Sequence, residues 1–177
     1  ASFTSPSWDK NNIYTIPWQW GTTSFTVNTD IYAGDINTYK ILFQPTKELQ
    51  GKIGMFKSAD EVISMALISL GLPLCNENPK DMQKVLDLLK AQKPHVKTYN
   101  SDGILERLSS GDVAVHQNWN GYSIRARNQN PAMKYAFPKE GVIAWADNIA
   151  VPKGAPNYDN AIKFIEFLMD PANIAIQ

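Results

Sequence analysis

A tryptophan and a carboxylate stand two residues apart late in the chain, as Trp145 and Asp147. Residues 142–151 predict an extended segment, in which side chains at this spacing point to the same face. A ring face attracts a cation, and a carboxylate accepts charge-assisted hydrogen bonds from ammonium protons. The pair therefore suits a primary ammonium group. The residues alone leave equally open that Trp145 packs in the core and that Asp147 caps or bridges a neighbouring group.

Other aromatic residues are candidates for the same kind of surface. Trp119 follows the predicted strand 113–117, and ligands of open α/β sheets bind beyond the carboxyl ends of strands. Tyr122 lies one turn into the next helix, where packing in the core or at its rim is equally consistent. Trp18 and Trp20 alternate onto one face of the first predicted strand. Of these two, we expect Trp20 to reach a cleft.

No catalytic or metal-binding pattern is present in the sequence. It contains no Gly-x-Ser-x-Gly, no His-Glu-x-x-His and no Gly-rich phosphate loop. His95 and His116 are far apart, and Cys75 is the only cysteine, so nothing suggests a metal site or an internal disulfide. We interpret His116 as a structural residue of a strand. We expect a protein that is not an enzyme and has no cofactor or metal.

Composition narrows the classes of partner. Lys and Arg number 17 and Asp and Glu number 17, so no net charge attracts nucleic acid or an anionic membrane. Apolar residues make up 44%, which predicts a folded core in a chain long enough for one domain or one lobe. No apolar run approaches the ~20 residues that span a bilayer. Residues 1–12 are polar, so we expect no signal peptide within this chain.

The elements that must position the candidate residues alternate between strands and helices. Periodicity predicts strands at 14–27, 51–57, 97–99, 113–117, 134–137 and 142–151, and helices at 59–70, 78–92, 101–109, 121–128 and 157–169. Residues 14–27 predict one strand, or two strands broken near Pro17 and Gly21. This alternation predicts an α/β fold with a mostly parallel sheet flanked by helices.

Several motifs occur in a fixed order along the chain. Residues 14–28 contain Tyr-Thr-Ile-Pro-Trp-Gln-Trp-Gly-Thr-Thr, and 108–121 contain Leu-Ser-Ser-Gly-Asp-Val-Ala-Val and end in Trp-Asn-Gly. Pro-Lys-Glu-Gly at 138–141 precedes Trp-Ala-Asp-Asn-Ile-Ala-Val-Pro at 145–152, and a helix ending in Asp-Pro follows at 161–171. In order and spacing these segments resemble the periplasmic substrate-binding proteins of the spermidine/putrescine type. Residues 14–28 resemble the crossover into the second lobe of that family. Residues 138–152 resemble its return crossover, and 161–171 resemble the helix with Asp-Pro that follows.

That resemblance implies a two-lobed, type II periplasmic-binding-protein fold, of which this chain supplies one lobe and the hinge crossover strands. Residues 1–20 would be the crossover from the first lobe, 21–147 the second α/β lobe, and 148–177 the return crossover with a helix of the first lobe. The implied function is the periplasmic substrate-binding component of an ABC importer, which delivers putrescine or spermidine to a membrane permease. A ligand-sensing domain of a signalling protein is the alternative. An isolated lobe would expose apolar hinge surface and self-associate.

The resemblance also bears on single residues. It favours ligand contact for Trp145 and Asp147, because the family places an aromatic residue and an aspartate at this crossover. It matches Glu61 to a carboxylate at a helix start that binds the distal ammonium of a polyamine. Ser58-x-x-Glu61 is also a capping box, in which Glu61 turns back to the backbone N–H of Ser58, and both interpretations stay open.

The ligand itself has an alternative. Ser58 stands where the family has a second carboxylate, so one partner for a cation is missing. A short ω-amino acid such as 4-aminobutyrate would need fewer acids, and Arg125 or Arg127 would then meet its carboxylate, although solvated surface charge explains both arginines. Asp170-Pro171 begins a helix only six residues before Gln177, and we expect the natural protein to continue.

Overall fold

The structure is a computed structural model that describes residues 6–176. It divides into two units. The first combines the residues up to Trp20 with those from Trp145 onward, and the second is Gly21–Ala144. The second unit holds most of the sheet and of the core.

The strands form a six-stranded sheet. They are β1 (Ile16–Asn28), β2 (Ile53–Met55), β3 (Val96–Tyr99), β4 (Val115–Trp119), β5 (Met133–Tyr135) and β6 (Ile143–Ile149). Their order is β3-β2-β4-β1-β5, and β6 pairs with β1. β2 is parallel to β3 and β4, whereas β1 is antiparallel to β4 and β5.

The α/β class is confirmed, but the sheet is mixed, which corrects the expectation of mostly parallel strands. The reason is the path of β1, which enters the second unit at the edge where β4 and β5 end. Thr23 near that entry pairs with Trp119 at the end of β4. β1 is also one continuous strand of 13 residues, so of the two predicted alternatives the single strand is present, without a break at Pro17 or Gly21.

Helices cover the sheet in the second unit and make up much of the first. They are α1 (Lys40–Phe43), α2 (Ala59–Ser69), α3 (Pro79–Gln92), α4 (Ile104–Ser109), α5 (Asn120–Gln129), α6 (Tyr158–Met169) and α7 (Pro171–Ile174). Asn78 caps α3 by accepting a hydrogen bond from the Lys80 amide at 2.9 Å. Asp170 caps α7 in the same way through the Ala172 amide at 2.8 Å. Both helices then begin with Pro, whose missing N–H is not needed at that position.

The core of the second unit lies against the sheet. α2 buries Val62, Met65 and Ala66, as its apolar spacing predicts, against Phe25 of β1 and Met55 of β2 in the same cluster. Fully burying such a side chain contributes about 1.5–3 kcal/mol. This packing fixes the start of α2 close to the end of β2. Within the described residues, no helix is long and apolar enough to cross a membrane.

A buried polar side chain, His116, belongs to the same sheet. His116 of β4 has no exposed surface, and its Nδ1 donates to the Gln117 carbonyl at 2.7 Å. Its Nε2 accepts from Arg107 Nη2 at 3.2 Å. Gly54 of β2 makes room for the ring, because a Cβ there would lie 2.1 Å from His116 Cδ2. The interpretation of His116 as a satisfied structural residue is confirmed.

The first unit is smaller and more exposed. Asp9 anchors its N-terminal turn by accepting hydrogen bonds from the Ile13, Tyr14 and Thr15 amides at 2.7–3.3 Å. An apolar groove of about 320 Å³ is lined by residues between 149 and 165 and includes none of the predicted ligand residues.

Candidate functional site

The candidate residues of the second unit gather at one edge of its sheet. β2, β3 and β4 are parallel and end there, and β1 enters there from the opposite direction. We name this the carboxyl edge and define it by Thr23, Phe56, Glu61 and Trp119. Because the ends of parallel strands leave backbone and side chains open to a ligand, this edge is where an α/β sheet normally binds one.

Aromatic rings form one wall of the carboxyl edge. Phe56 follows β2 and packs on Trp119 with ring centroids 4.3 Å apart. Tyr122, in the first turn of α5, lies 5.7 Å from Trp119 between centroids. The Phe56 side chain is fully buried, whereas Trp119 is half-buried and Tyr122 is 40% exposed. The buried Phe56 ring thus packs on Trp119, and Trp119 and Tyr122 keep the accessible surface that a cation needs for contact with a ring face.

A carboxylate stands beside this wall. Glu61 is the third residue of α2, and its Oε2 accepts a hydrogen bond from the Thr23 hydroxyl at 2.8 Å. Burial raises the pKa of Glu61, nearby Asp60 raises it further, and hydrogen bonds from the side chains of Thr23 and Trp119 oppose the rise. The carboxylate is therefore tied to β1 and β4, although it belongs to a helix.

The structure tests one of the two interpretations of Ser58-x-x-Glu61, the capping box. Ser58 makes no side-chain cap, and its hydroxyl donates instead to Asp60 Oδ1 at 2.9 Å. Glu61 reaches across to Thr23, 38 residues away in sequence. The capping-box alternative is wrong here, because the long-range hydrogen bond replaces the local one.

Uncharged polar groups continue the carboxyl edge toward β5. The hydroxyls of Thr22 and Tyr135 lie 2.9 Å apart, and Tyr135 also donates to the Thr22 carbonyl at 3.0 Å. Asn120 Oδ1 accepts from the Thr22 amide at 3.1 Å. Burial raises the pKa of Tyr135 to about 12, so its phenol stays neutral. This network fixes the start of β1 within the second unit and adds no charge.

The remaining predicted residues lie in the first unit. Asp147 is exposed, and its Oδ2 accepts from Gln19 Nε2 at 2.8 Å. Trp145 is half-buried, and Trp20 is 65% exposed. None of the three belongs to the apolar core, so the alternative that Trp145 is a core residue loses support. The bridging alternative for Asp147 is realised in part, through Gln19.

The sequence did not point to three residues that contact the candidate residues: Thr23, Phe56 and Gln19. Thr23 is fully buried within β1, yet nothing in its local pattern distinguishes it from Thr22 or Thr26. The one available signal for Phe56 is its position directly after an apolar strand. Among residues 6–176, no group of His, Cys, Asp and Glu side chains is arranged to hold a metal ion.

Comparison with known proteins gives one consistent result. A family profile described as bacterial extracellular solute-binding protein matches residues 1–177. The spermidine/putrescine-binding periplasmic protein of Salmonella typhimurium is 35% identical over 164 residues, which are 92% of this chain and 47% of that protein. The putrescine/agmatine-binding protein of Pseudomonas aeruginosa is 30% identical over 182 residues, 94% of this chain and 50% of that protein.

A solved structure agrees. A putative spermidine/putrescine ABC transporter protein from Listeria monocytogenes superimposes with a TM-score of 0.91 at 33% identity, covering 98% of this chain and 53% of its own. The chain thus spans about half the length of the curated relatives that it matches.

Proposed function

Because the chain belongs to the family of bacterial extracellular solute-binding proteins, we propose that it binds a small organic amine of the putrescine and spermidine type. The observation that carries the proposal is the Glu61 carboxylate, held by Thr23 beside the aromatic wall of Trp119 and Tyr122. The relatives described above are named for binding spermidine, putrescine or agmatine, which supports the same class of ligand.

The chemistry of the carboxyl edge fits an alkyl ammonium. A carboxylate hydrogen-bonded to a cation contributes about twice as much as a neutral pair, and a ring face adds about 0.5–2 kcal/mol. Methylene groups of the ligand would pack on the rings. Trp145 and Asp147 offer the same combination of groups in the first unit, and we assign them a contribution to amine binding. For Ser58, Tyr122 and Trp20, contact with the ligand stays a prediction.

The same proposal covers the protein as a whole. We propose that the chain forms the second lobe and the hinge segments of a periplasmic substrate-binding protein, with residues 1–20, 21–147 and 148–177 in the roles predicted above. The structural division at Trp20 and Ala144 supports such an organisation to within a few residues. The ligand-bound protein would be recognised by an ABC permease, and it would carry out no catalytic step.

The first test is calorimetric titration of the protein with putrescine, spermidine and 4-aminobutyrate, repeated with Asp147→Asn. Loss of one exposed carboxylate charge should weaken amine binding about fivefold to tenfold, while the Asn oxygen still accepts from Gln19. Asp159→Asn, an exposed carboxylate at the start of α6, is the matched control and should bind as the wild type does. Undiminished amine affinity in Asp147→Asn would remove that residue from the site.

One observation favours the ω-amino-acid alternative. The Arg125 guanidinium lies 5.3 Å from the centroid of the Tyr122 ring and so brings a positive charge to the aromatic wall. If the ligand is a diamine, Arg125→Gln should leave its affinity unchanged or raise it about twofold, since a nearby like charge is removed. If the ligand carries a carboxylate, the same substitution should weaken 4-aminobutyrate binding about tenfold. Titration with both ligands decides between them.

A further inference from the structure

We infer that Thr23 is a positioning residue, whose hydroxyl holds the Glu61 carboxylate in the orientation and charge state that bind an amine. The inference rests on the proposed function and extends it to a residue that would itself touch no ligand. Its basis is one long-range hydrogen bond, from Thr23 Oγ1 to Glu61 Oε2 at 2.8 Å.

The position of Thr23 in the sheet restricts the geometry of this hydrogen bond. The residue is fully buried in β1 and pairs directly with Trp119 of β4. A β-branched side chain in a strand has a restricted χ1, which limits the positions that its hydroxyl oxygen can take. The donor that Glu61 meets is therefore fixed by the sheet and does not depend on the mobility of the helix end.

Glu61 needs such a donor because its own helix offers a competing arrangement. The third residue of a helix tends to turn back toward the N-cap, and Ser58 at the N-cap is the residue type that favours this. In the structure Ser58 is occupied with Asp60, and Glu61 points to the sheet. Without the Thr23 hydroxyl, the turned-back conformation would compete with the one at the carboxyl edge.

The charge state of Glu61 depends on the same bond. Burial and the Asp60 carboxylate raise the pKa of Glu61, and the side chains of Thr23 and Trp119 lower it. Asp60, on the same helix turn, is the charged group among the described residues that acts on Glu61; the facing strands β1 and β4 contribute only these neutral donors. Removing the Thr23 hydroxyl should raise the pKa further. An amine binds the ionised form, so its affinity should then fall at a higher pH than in the wild type.

The experiment compares Thr23→Val, Thr23→Ser and Thr26→Val. Valine keeps the shape of threonine without the hydroxyl, and serine restores it. Thr26 is fully buried in the same strand but hydrogen-bonds to Ser123 and Asn118, so Thr26→Val reports structural damage alone. Putrescine affinity is measured by calorimetry from pH 4 to 8, and the titration of Glu61 in the ligand-free protein by carboxyl carbon NMR.

For Thr23→Val we expect about fivefold weaker putrescine binding at neutral pH and a shift of the acid limb of the affinity profile upward by about half a pH unit or more. The Glu61 titration should move in the same direction. Thr23→Ser should return both to within about twofold of the wild type, and Thr26→Val should move neither midpoint.

The outcomes separate the two proposals. A wild type that binds no amine overturns the proposed function, whatever Thr23 does. A wild type that binds putrescine, with a Thr23→Val profile and Glu61 titration unchanged from those of the wild type, overturns only the role of Thr23. Failure of Thr23→Ser to restore the profile also counts against it. If Thr23→Val does not fold, Thr23→Ala takes its place. A shift of the pH profile of putrescine affinity in Thr23→Ala, without such a shift in Thr23→Ser, then supports the role of Thr23. An unchanged profile in Thr23→Ala contradicts it.

Discussion

Replacing Glu61 by glutamine should weaken putrescine binding about 30-fold at neutral pH. A hydrogen bond to a charged partner contributes about 1.5–3 kcal/mol, and each 1.4 kcal/mol is a tenfold change in affinity. Glutamine keeps an oxygen that accepts from Thr23, so the aromatic wall and the strand are left intact while the charge is lost. Calorimetric titration of Glu61→Gln measures the loss. Glu106→Gln, in α4 of the same unit, is the control and should bind normally.

The same substitution should make the protein slightly more stable. The pKa of Glu61 is raised in the folded state, mainly by burial. A raised acid pKa contributes stability below the unfolded value, which is lost as the pH rises through the folded one, so at neutral pH the ionised carboxylate is a cost. Solvent screening of this partly exposed charge keeps that cost small, so we expect a small rise in Tm. Weakened binding together with a lower Tm would indicate structural damage and would contradict this account.

The site illustrates what local sequence can determine. Trp119 and Tyr122 were predictable because a strand followed by a helix places the connecting residues at the edge of a sheet. The orientation of Glu61 was not, because a capping box and a carboxylate that reaches the sheet share one spacing. The difference between them is a hydrogen bond to Thr23, which only the folded chain brings into reach. Local patterns carry no information on such a pairing.

The fold shows the same limit. The strand and helix types followed from periodicity; α2 begins where its apolar spacing predicted, and α3 begins where the Asn78-Pro79 signal predicted. Strand direction did not follow, because the orientation of β1 depends on where the crossover enters the sheet. The segment 32–49 was also missed as core, although its buried residues include Tyr39 and Leu42, because its apolar residues lie in short turns without a sustained period.

Acid should destabilise the protein well above the range in which ordinary carboxylates titrate, and His116 is the reason. Desolvation by burial, aided by the Arg107 cation, lowers the pKa of His116 to about 4, although the hydrogen bond to the Gln117 carbonyl opposes this. Both ring nitrogens are satisfied in the neutral form. Protonation at Nε2 would place a second proton donor 3.2 Å from the Arg107 guanidinium. The folded state therefore resists a proton that the unfolded chain accepts near pH 6.5.

The direction in which pH changes the stability follows from this difference in bound protons. Below about pH 6.5 the unfolded state binds more protons than the folded state. The free energy of unfolding therefore decreases as the pH is lowered from about 6.5 to the folded pKa of about 4, by about 3 kcal/mol in total. His116→Gln should lower stability at pH 7 through lost packing, yet flatten this decline. Urea unfolding at intervals between pH 7 and 4 measures both effects. Subtracting the wild-type free energy of unfolding at each pH cancels the contribution of Glu61, which has the opposite sign to that of His116. An equally steep decline in His116→Gln would assign the acid sensitivity to other groups.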